Sequence, residues 1–347
     1  MQPPRWTLAL LAAVACGDNA LGPDARIDSP PPLPVDAPPD ADPLSSLAGT
    51  GLCLDRGCTQ IDPQAREYEP RFPLWDDDAT KRRWIYLPPG TQIDTTDMDH
   101  WVFPVGTKVW KEFARGTRVE TRLILKQLAD DFAPNAWFYA TYQWNAAQDD
   151  ALPVTTGVQN ANGTQHDIPT RLDCRACHER LQPTRVLGFD AIQLDYAAAP
   201  ALLDLQDLIA MDLLTAPPTN PAPHFPLPGT AVDFAALGYF HGNCGHCHNP
   251  TSDVHDVAPI DLRLRTTMPA TVAETTVYLT TVGIDAAVPY TENGMTYTKL
   301  VIPGNPAESS VISRMNSMMG IRFMPAVAVE SVDPAGQAAL VPWINAL

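Results

Sequence analysis

The sequence predicts an α+β chain, in which an antiparallel β-rich part precedes a mainly α-helical part. Three observations carry that expectation. Between residues 68 and 169, short aromatic and β-branched runs alternate with Pro- and Gly-bearing turns, the pattern of an antiparallel sheet or partial barrel. From residue 229 onward, apolar residues recur instead at helical spacing behind cap residues. Between the two lies a stretch, 215–228, that contains six Pro and reads as an interdomain linker.

The strand candidates are 83–87, 101–104, 107–113, 118–126 and 136–144. Pro88-Pro89-Gly90 and Gly106 punctuate them. The run from Trp137 to Trp144 carries large rings at positions of both parities, so it is expected to pack rings on both faces. Residues 186–214 read as helix, with Ile192, Leu194, Leu202, Leu205 and Leu208 on its apolar side. A helix over 230–240 follows. Near the C-terminus, Asn305-Pro306-Ala307-Glu308 resembles a capped helix start leading into Val311, Met315 and Met318. The last helix has Asp333 as N-cap and Pro334 at its first position, with Leu340, Trp343, Ile344 and Leu347 on one face.

Composition bounds the function. The 347 residues suit two domains, and 45% apolar content suffices for a sizeable core. With 23 Lys plus Arg against 40 Asp plus Glu, the net charge is -17. A nucleic-acid binder needs cationic contacts to phosphates, and a polybasic membrane-surface anchor needs the same sign, so both are disfavoured. Seven Cys are too few for a disulfide scaffold. The one long apolar run is too short to span a bilayer, which excludes a multi-span membrane protein.

That run is an address. Arg5 followed by Thr-Leu-Ala-Leu-Leu-Ala-Ala-Val-Ala forms the charged and apolar regions of an export signal over residues 1–15. Ala13-Val14-Ala15-Cys16 resembles a bacterial lipobox, which makes Cys16 a lipidation candidate; plain signal cleavage is the alternative. Residues 16–48 then read as a tether, since 17–43 hold eight Pro, six Asp and no aromatic ring. Such a segment cannot bury enough apolar surface to offset its ordering entropy. Gly17 after Cys16 points to the outer membrane, on its periplasmic face or its surface. Export implies an oxidising compartment, where Cys53 and Cys58 are expected to form a local disulfide. The folded parts are then 49–214 and 229–347.

The four remaining Cys carry the chemistry. They occur as Cys174-Arg-Ala-Cys177-His178 and Cys244-Gly-His-Cys247-His248. Two thiols one helical turn apart can add to the two vinyl groups on one haem edge, and the adjacent His can reach the iron. At this composition chance supplies only about 0.003 such pentapeptides, so two are not accidental. A thioredoxin-like redox motif would need a βαβ context that neither copy has, and a single four-thiolate zinc site leaves both trailing His residues without a role. The expectation is two covalently bound c-type haems with iron ligands His178 and His248.

Residues 229–347 resemble a class I cytochrome c domain: a helix leads into CGHCH, a late Met-Pro follows, and an aromatic-bearing helix closes the chain. The resemblance implies Met324 as the second ligand of the haem at His248, where a thioether raises the potential. Met315, Met318 and Met319 are competing thioethers whose helical spacing suits core packing. His248 and Met324 are 76 residues apart, so 260–301 is an insertion with strand-like stretches such as 276–282. The middle of the chain, with Phe103-Pro104-Val105-Gly106-Thr107, Lys111 and a Trp-Phe-Tyr strand before the first haem motif, resembles β-sheet cytochromes of the c-prime-beta type. In that group the distal side of the haem is often open and in some members a Lys is linked to it. Lys111 falls at the matching position and is read here as an exposed strand lysine. The distal candidates at the first haem are His100, His166, Met98 and Met211.

Across nearly the whole mature chain, FPLWDDDATKRRWIYLPPGT, DMDHWVFPVGTKVWKEF, HDIPTRLDCRACH, VLGFDAIQLD and NCGHCHNP resemble one family of bacterial di-haem c-type cytochromes. Related modules are attached to quinoprotein sugar dehydrogenases. The resemblance implies an electron-transfer protein rather than an enzyme, with a separate redox partner: a quinoprotein dehydrogenase or a soluble basic cytochrome. The alternatives are a peroxidase-like enzyme or a small-ligand sensor with an open iron at the first haem, which would need an acid-base group such as His100 or His166.

Overall fold

The computed structural model describes residues 42–179, 186–317, 323–325 and 329–347. The export segment, Cys16, Met318 and Met319 lie outside the described residues. Six strands, β1 (Arg66–Glu67), β2 (Thr80–Tyr86), β3 (Lys108–Arg115), β4 (Thr117–Lys126), β5 (Trp137–Trp144) and β6 (Ala151–Val154), form one antiparallel sheet in sequential order. The helices are α1 (Arg171–His178), α2 (Ala191–Leu194), α3 (Leu205–Ala210), α4 (Ala231–Asn243), α5 (Thr276–Thr281), α6 (Ser310–Asn316) and α7 (Pro334–Ala346), with a hairpin of β7 (Asp285–Glu292) and β8 (Met295–Lys299) before α6. The class is α+β. Among the described residues no helix is long and apolar enough to cross a membrane.

Register gives the sheet two different faces. Trp84 pairs with Trp110, Trp110 with Leu123, and Leu125 with Phe138. Together with Tyr142 and Trp144 these side chains build a core closed by Leu47, Leu52 and Cys53. On the opposite face, Ile85, Val109, Ile124, Trp137 and Tyr139 join the larger core, which takes in Leu237 and Phe240 of α4 and Leu340, Trp343 and Ile344 of α7. Rings from β5 therefore lie on both faces, because side-chain direction alternates along a strand.

Several local expectations give way to tertiary context. Residues 101–104 make only one bridge, Val102 to Asp94, since Trp101 and Phe103 point into the core and Pro104 has no N–H to donate. The two short outer strands, β1 and β6, escape a reading based on runs. The long helix expected over 186–214 is instead α2 and α3, each started by its own cap, Asp190 and Asp204, with Pro200 and a left-handed Ala201 between them. The strand-like stretch at 276–282 is α5. Thr275 accepts a hydrogen bond from the Tyr278 N–H, and the Thr280 and Thr281 hydroxyls donate to carbonyls four residues back, so β-branched residues sit in a helix. Asn305 caps a single 3-10 turn, and α6 begins only after Ser309.

Leu47, near the end of the expected tether, is fully buried, and its N–H donates to the Ala151 carbonyl. The Pro-rich stretch 215–228 is anchored at both ends. Thr215 and Ala216 bond to the 93–95 segment, and the His224 and Phe225 N–H groups both donate to Asp195. Phe72 lies against Gly238 of α4, and Trp75 bonds to Asn243 and Ser331, so one apolar core continues from the sheet to the C-terminal helix.

Candidate functional site

Both C-x-x-C-H motifs are delivered by capped helices. Thr170 and Asp173 form a reciprocal capping box that starts α1, which carries Cys174, Cys177 and His178 in its last two turns. Arg171 lies over the Phe138 ring, and the His178 imidazole is 5.7 Å from the Tyr139 ring, which holds α1 against β5. Thr230 and Asp233 make the same box for α4, whose C-cap is Cys244. Gly245 follows under a tight ceiling: a Cβ there would stand 2.8 Å from the Arg263 Cα.

The two motifs act on one another. Burial is the main cause that pushes the Cys247 thiol up to about 12, and Cys177 adds to it. Burial likewise holds His246 down at about 4, and the groups acting on it include His248, His178 and Lys111. Sites 70 residues apart in the chain thus share one electrostatic neighbourhood. Cys174 and Cys244 are raised to about 11 and about 12, also by burial. None of the four is in a disulfide. Thiols this far above neutrality are protonated and poor nucleophiles, unlike those of a dithiol redox centre, whose values are lowered. Among the described residues no group of three His, Cys, Asp or Glu side chains is placed to hold a metal ion.

Fit to a c-type haem is a different matter, since it needs two thiols on one edge and one imidazole. Burial, then Arg314, holds His248 down at about 4, so its imidazole is neutral at pH 7. Its Nδ1 is buried without a hydrogen-bond partner. A neutral imidazole is the form that can ligate iron. The residues of both motifs are half-buried, and burial is the leading cause of the shifts at Cys174, Cys247 and His248. The residues present therefore fit the group.

Met324 donates its N–H to the Arg314 carbonyl at 3.0 Å, and Arg314 is the cation that acts on His248. That bond ties the 323–325 segment to α6. Met315 is buried, with its methyl against Gly336, and serves packing. Of the four distal candidates at the first motif, His166 is tied to it through Glu120: its Nε2 lies 2.6 Å from Glu120 Oε1, and Glu120 acts on Cys174. Met98 packs at the edge of the main core, and Met211 lines a surface groove with Arg66, Trp84 and Leu203. His100 follows the turn at Asp97, to whose carbonyl its N–H donates. Cys53 and Cys58 are disulfide-bonded, with Cα atoms 5.0 Å apart, far from either motif in sequence and on the opposite sheet core.

Lys111 is not an exposed strand lysine. Its side chain keeps 23% of its surface, and its Nζ lies 3.7 Å from the buried Asp76 carboxylate. Sequence reading also missed Glu120, Arg122 and Arg83. Their signal was parity: Glu120 and Arg122 alternate in phase with Ile124, a core residue, so they had to point inward. Compared with protein-family models, with curated proteins and with solved structures, the chain matches none.

Proposed function

We propose that the chain is an exported di-haem c-type cytochrome that transfers electrons outside the cytoplasm. The observation that carries the reading is the pair of C-x-x-C-H motifs, each delivered by a helix that a reciprocal Thr–Asp capping box starts. Cys174 and Cys177 would hold haem 1 with His178 on its iron. Cys244 and Cys247 would hold haem 2, with His248 and Met324 as its ligands. Bound there, haem iron supplies one-electron chemistry between its ferric and ferrous states. The protein's part is to exclude water, to fix both imidazoles and to keep the two attachment sites adjacent, so that an electron needs no diffusing carrier between them.

In this reading the sheet part is the haem 1 domain, and the helical part that follows is the class I cytochrome c-like domain, as the resemblance to bacterial di-haem cytochromes implies. Cys16 lipidation at the outer membrane would keep the protein near a dehydrogenase or a soluble basic cytochrome. One observation favours a second reading. The buried His166–Glu120 pair beside Cys174 supplies the acid-base group that a peroxidase-like enzyme or a ligand-binding haem 1 requires.

The test is a haem count followed by a spectrum. Protein matured with c-haem machinery should carry two covalent haems by pyridine haemochrome assay. If CO leaves the dithionite-reduced bands unchanged, both irons are six-coordinate and electron transfer is the function. A shift in half the haem moves the function to haem 1 as an open site. No covalent haem at all overturns the proposal.

A further inference from the structure

The segment between Phe72 and β2 reads Pro-Leu-Trp-Asp-Asp-Asp, and its acids do not share one task. Asp76 is buried 3.7 Å from Lys111 of β3, and its carbonyl accepts the Ala79 N–H. Lys81 of β2 donates to the Leu74 carbonyl at 2.7 Å, so two strands fasten the turn to the sheet. Asp77 instead reaches the segment before α7. Its Oδ1 accepts the Ser331 N–H at 2.8 Å and the Ser331 hydroxyl at 2.6 Å. Both its oxygens take the Glu330 N–H, at 3.0 and 2.9 Å. Asp77 and Asp78 hold φ of 47° and 63°, the left-handed region that a non-glycine residue keeps only where its surroundings impose it. Trp75 adds a second arm. Its indole Nε1 donates to the Ser331 carbonyl at 3.2 Å, and its backbone N–H donates to Asn243 Oδ1 at 2.7 Å. Asn243 is buried, immediately precedes Cys244, and donates in turn to the Pro73 and Tyr239 carbonyls.

Residues 73–77 therefore touch the residue before the second motif and the 330–331 segment at once. Ser331 stands seven positions after Met324, whose own N–H is held by the Arg314 carbonyl of α6 at 3.0 Å. The chain that carries Met324 is thus pinned on one side by α6 and on the other by the sheet part. We infer that Asp77 and Trp75 are positioning residues for Met324, bracing its segment against the start of the second attachment motif. The inference rests on the di-haem reading, and within it on Met324 as the ligand opposite His248. A Met side chain has three rotatable bonds and no charge to anchor it, so its placement depends on how firmly the backbone is held at each end. Bonds from backbone N–H groups to a carboxylate are charge-assisted and about twice as strong as neutral ones, which suits such a brace. The brace also lies outside 229–347. The helical part does not complete its own site; a turn from the sheet part does.

The experiment uses the full chain. In the haem-free protein, hydrogen exchange should find the Glu330 and Ser331 amides protected. Asp77→Ala should abolish that protection, and Asp77→Asn, which keeps one acceptor oxygen, should retain part of it. The holoprotein then tests the role. No covalent haem, or a Met324→Ala protein whose reduced spectrum CO leaves as in the wild type, removes the underlying reading and the brace with it. Where Met324→Ala does open haem 2, Asp77→Ala should raise the rate of CO binding at that haem about tenfold over the wild type, because one end of the segment is released. Asp77→Asn and Trp75→Phe should fall between the two. Asp204→Ala, which removes the cap of α3, is the control: it should lower stability in urea and leave CO binding unchanged. If Asp77→Ala does not accumulate, Asp77→Asn and Trp75→Phe carry the test. Wild-type CO rates in the Asp77 and Trp75 variants, with Met324→Ala open, overturn the inference alone. So does an equal rise in Asp204→Ala, since that reports general loosening rather than a brace.

Discussion

Asp190 shows how a single side chain joins three segments. Its carboxylate caps α2 through the Gln193 N–H, stands 3.9 Å from His241 Nε2 on α4, and faces Arg263. His241 Nδ1 accepts the Leu264 N–H, which leaves Nε2 protonated toward Asp190. Burial raises the Asp190 carboxyl, but His241, Arg263 and the Gln193 amide outweigh it and hold the group below its ordinary 3.8. A lowered carboxyl stabilises the fold fully above the unfolded value, and that contribution is lost as pH falls through the folded one. Asp190→Asn should therefore cost about 2 kcal/mol at pH 7. In urea melts across pH, the gap from the wild type should close below pH 3.8; a constant gap would mean that the charge is irrelevant. Met324 gives a second prediction at this scale, resting on the proposed ligation. Met324→Ala should open haem 2 to CO and lower its potential, since a thioether ligand raises it. An unchanged CO difference spectrum would remove Met324 from the iron.

At the scale of the element, α4 is the piece on which the second motif depends. Its capping box at Thr230 and its contact at Gly238 fail in different ways. Thr230→Ala removes one N-terminal acceptor and should cost about 1 kcal/mol. Gly238 is a poor helix former on its own, yet any Cβ there would overlap the Phe72 ring. Gly238→Ala should thus cost about 1–3 kcal/mol through overpacking, although alanine is the better helix residue. Chemical denaturation of both variants checks the order. A Gly238→Ala protein more stable than the wild type would show that Phe72 moves aside freely. The same helix explains why propensity alone misreads α5: β-branched threonines tolerate a helix where a Thr275 cap and packed neighbours stabilise it.

For the whole molecule, the continuous core decides cooperativity. Tyr68 and Phe72 before the sheet share one apolar cluster with Trp343 and Ile344 at the C-terminus, and Asp77 accepts N–H groups from Glu330 and Ser331. Tryptophan fluorescence and far-UV circular dichroism should therefore report a single, coincident unfolding transition in urea. Two separated transitions would show that the sheet part and the helical part fold apart, as the Pro-rich stretch at 215–228 first suggested. The net charge of -17 bears on association at the same scale. If the proposed function holds, electron transfer to a basic cytochrome should slow steeply as ionic strength rises, because long-range attraction is screened. A salt-independent rate would point to an uncharged docking face.

Much of this was readable in the chain itself. The proposed haem-attachment residues, Cys174, Cys177, His178, Cys244, Cys247 and His248, stand out because the chemistry proposed for them depends on local spacing, and the caps at Thr230 and Asp333 declare α4 and α7 because capping is local too. The strands β2 to β5 follow from aromatic and branched residues between turn formers. Tertiary structure alone decided that Lys111 is largely shielded and that Arg83, Lys111 and Arg122 stand in one row. Register across strands depends on long-range pairing, which no window of sequence contains.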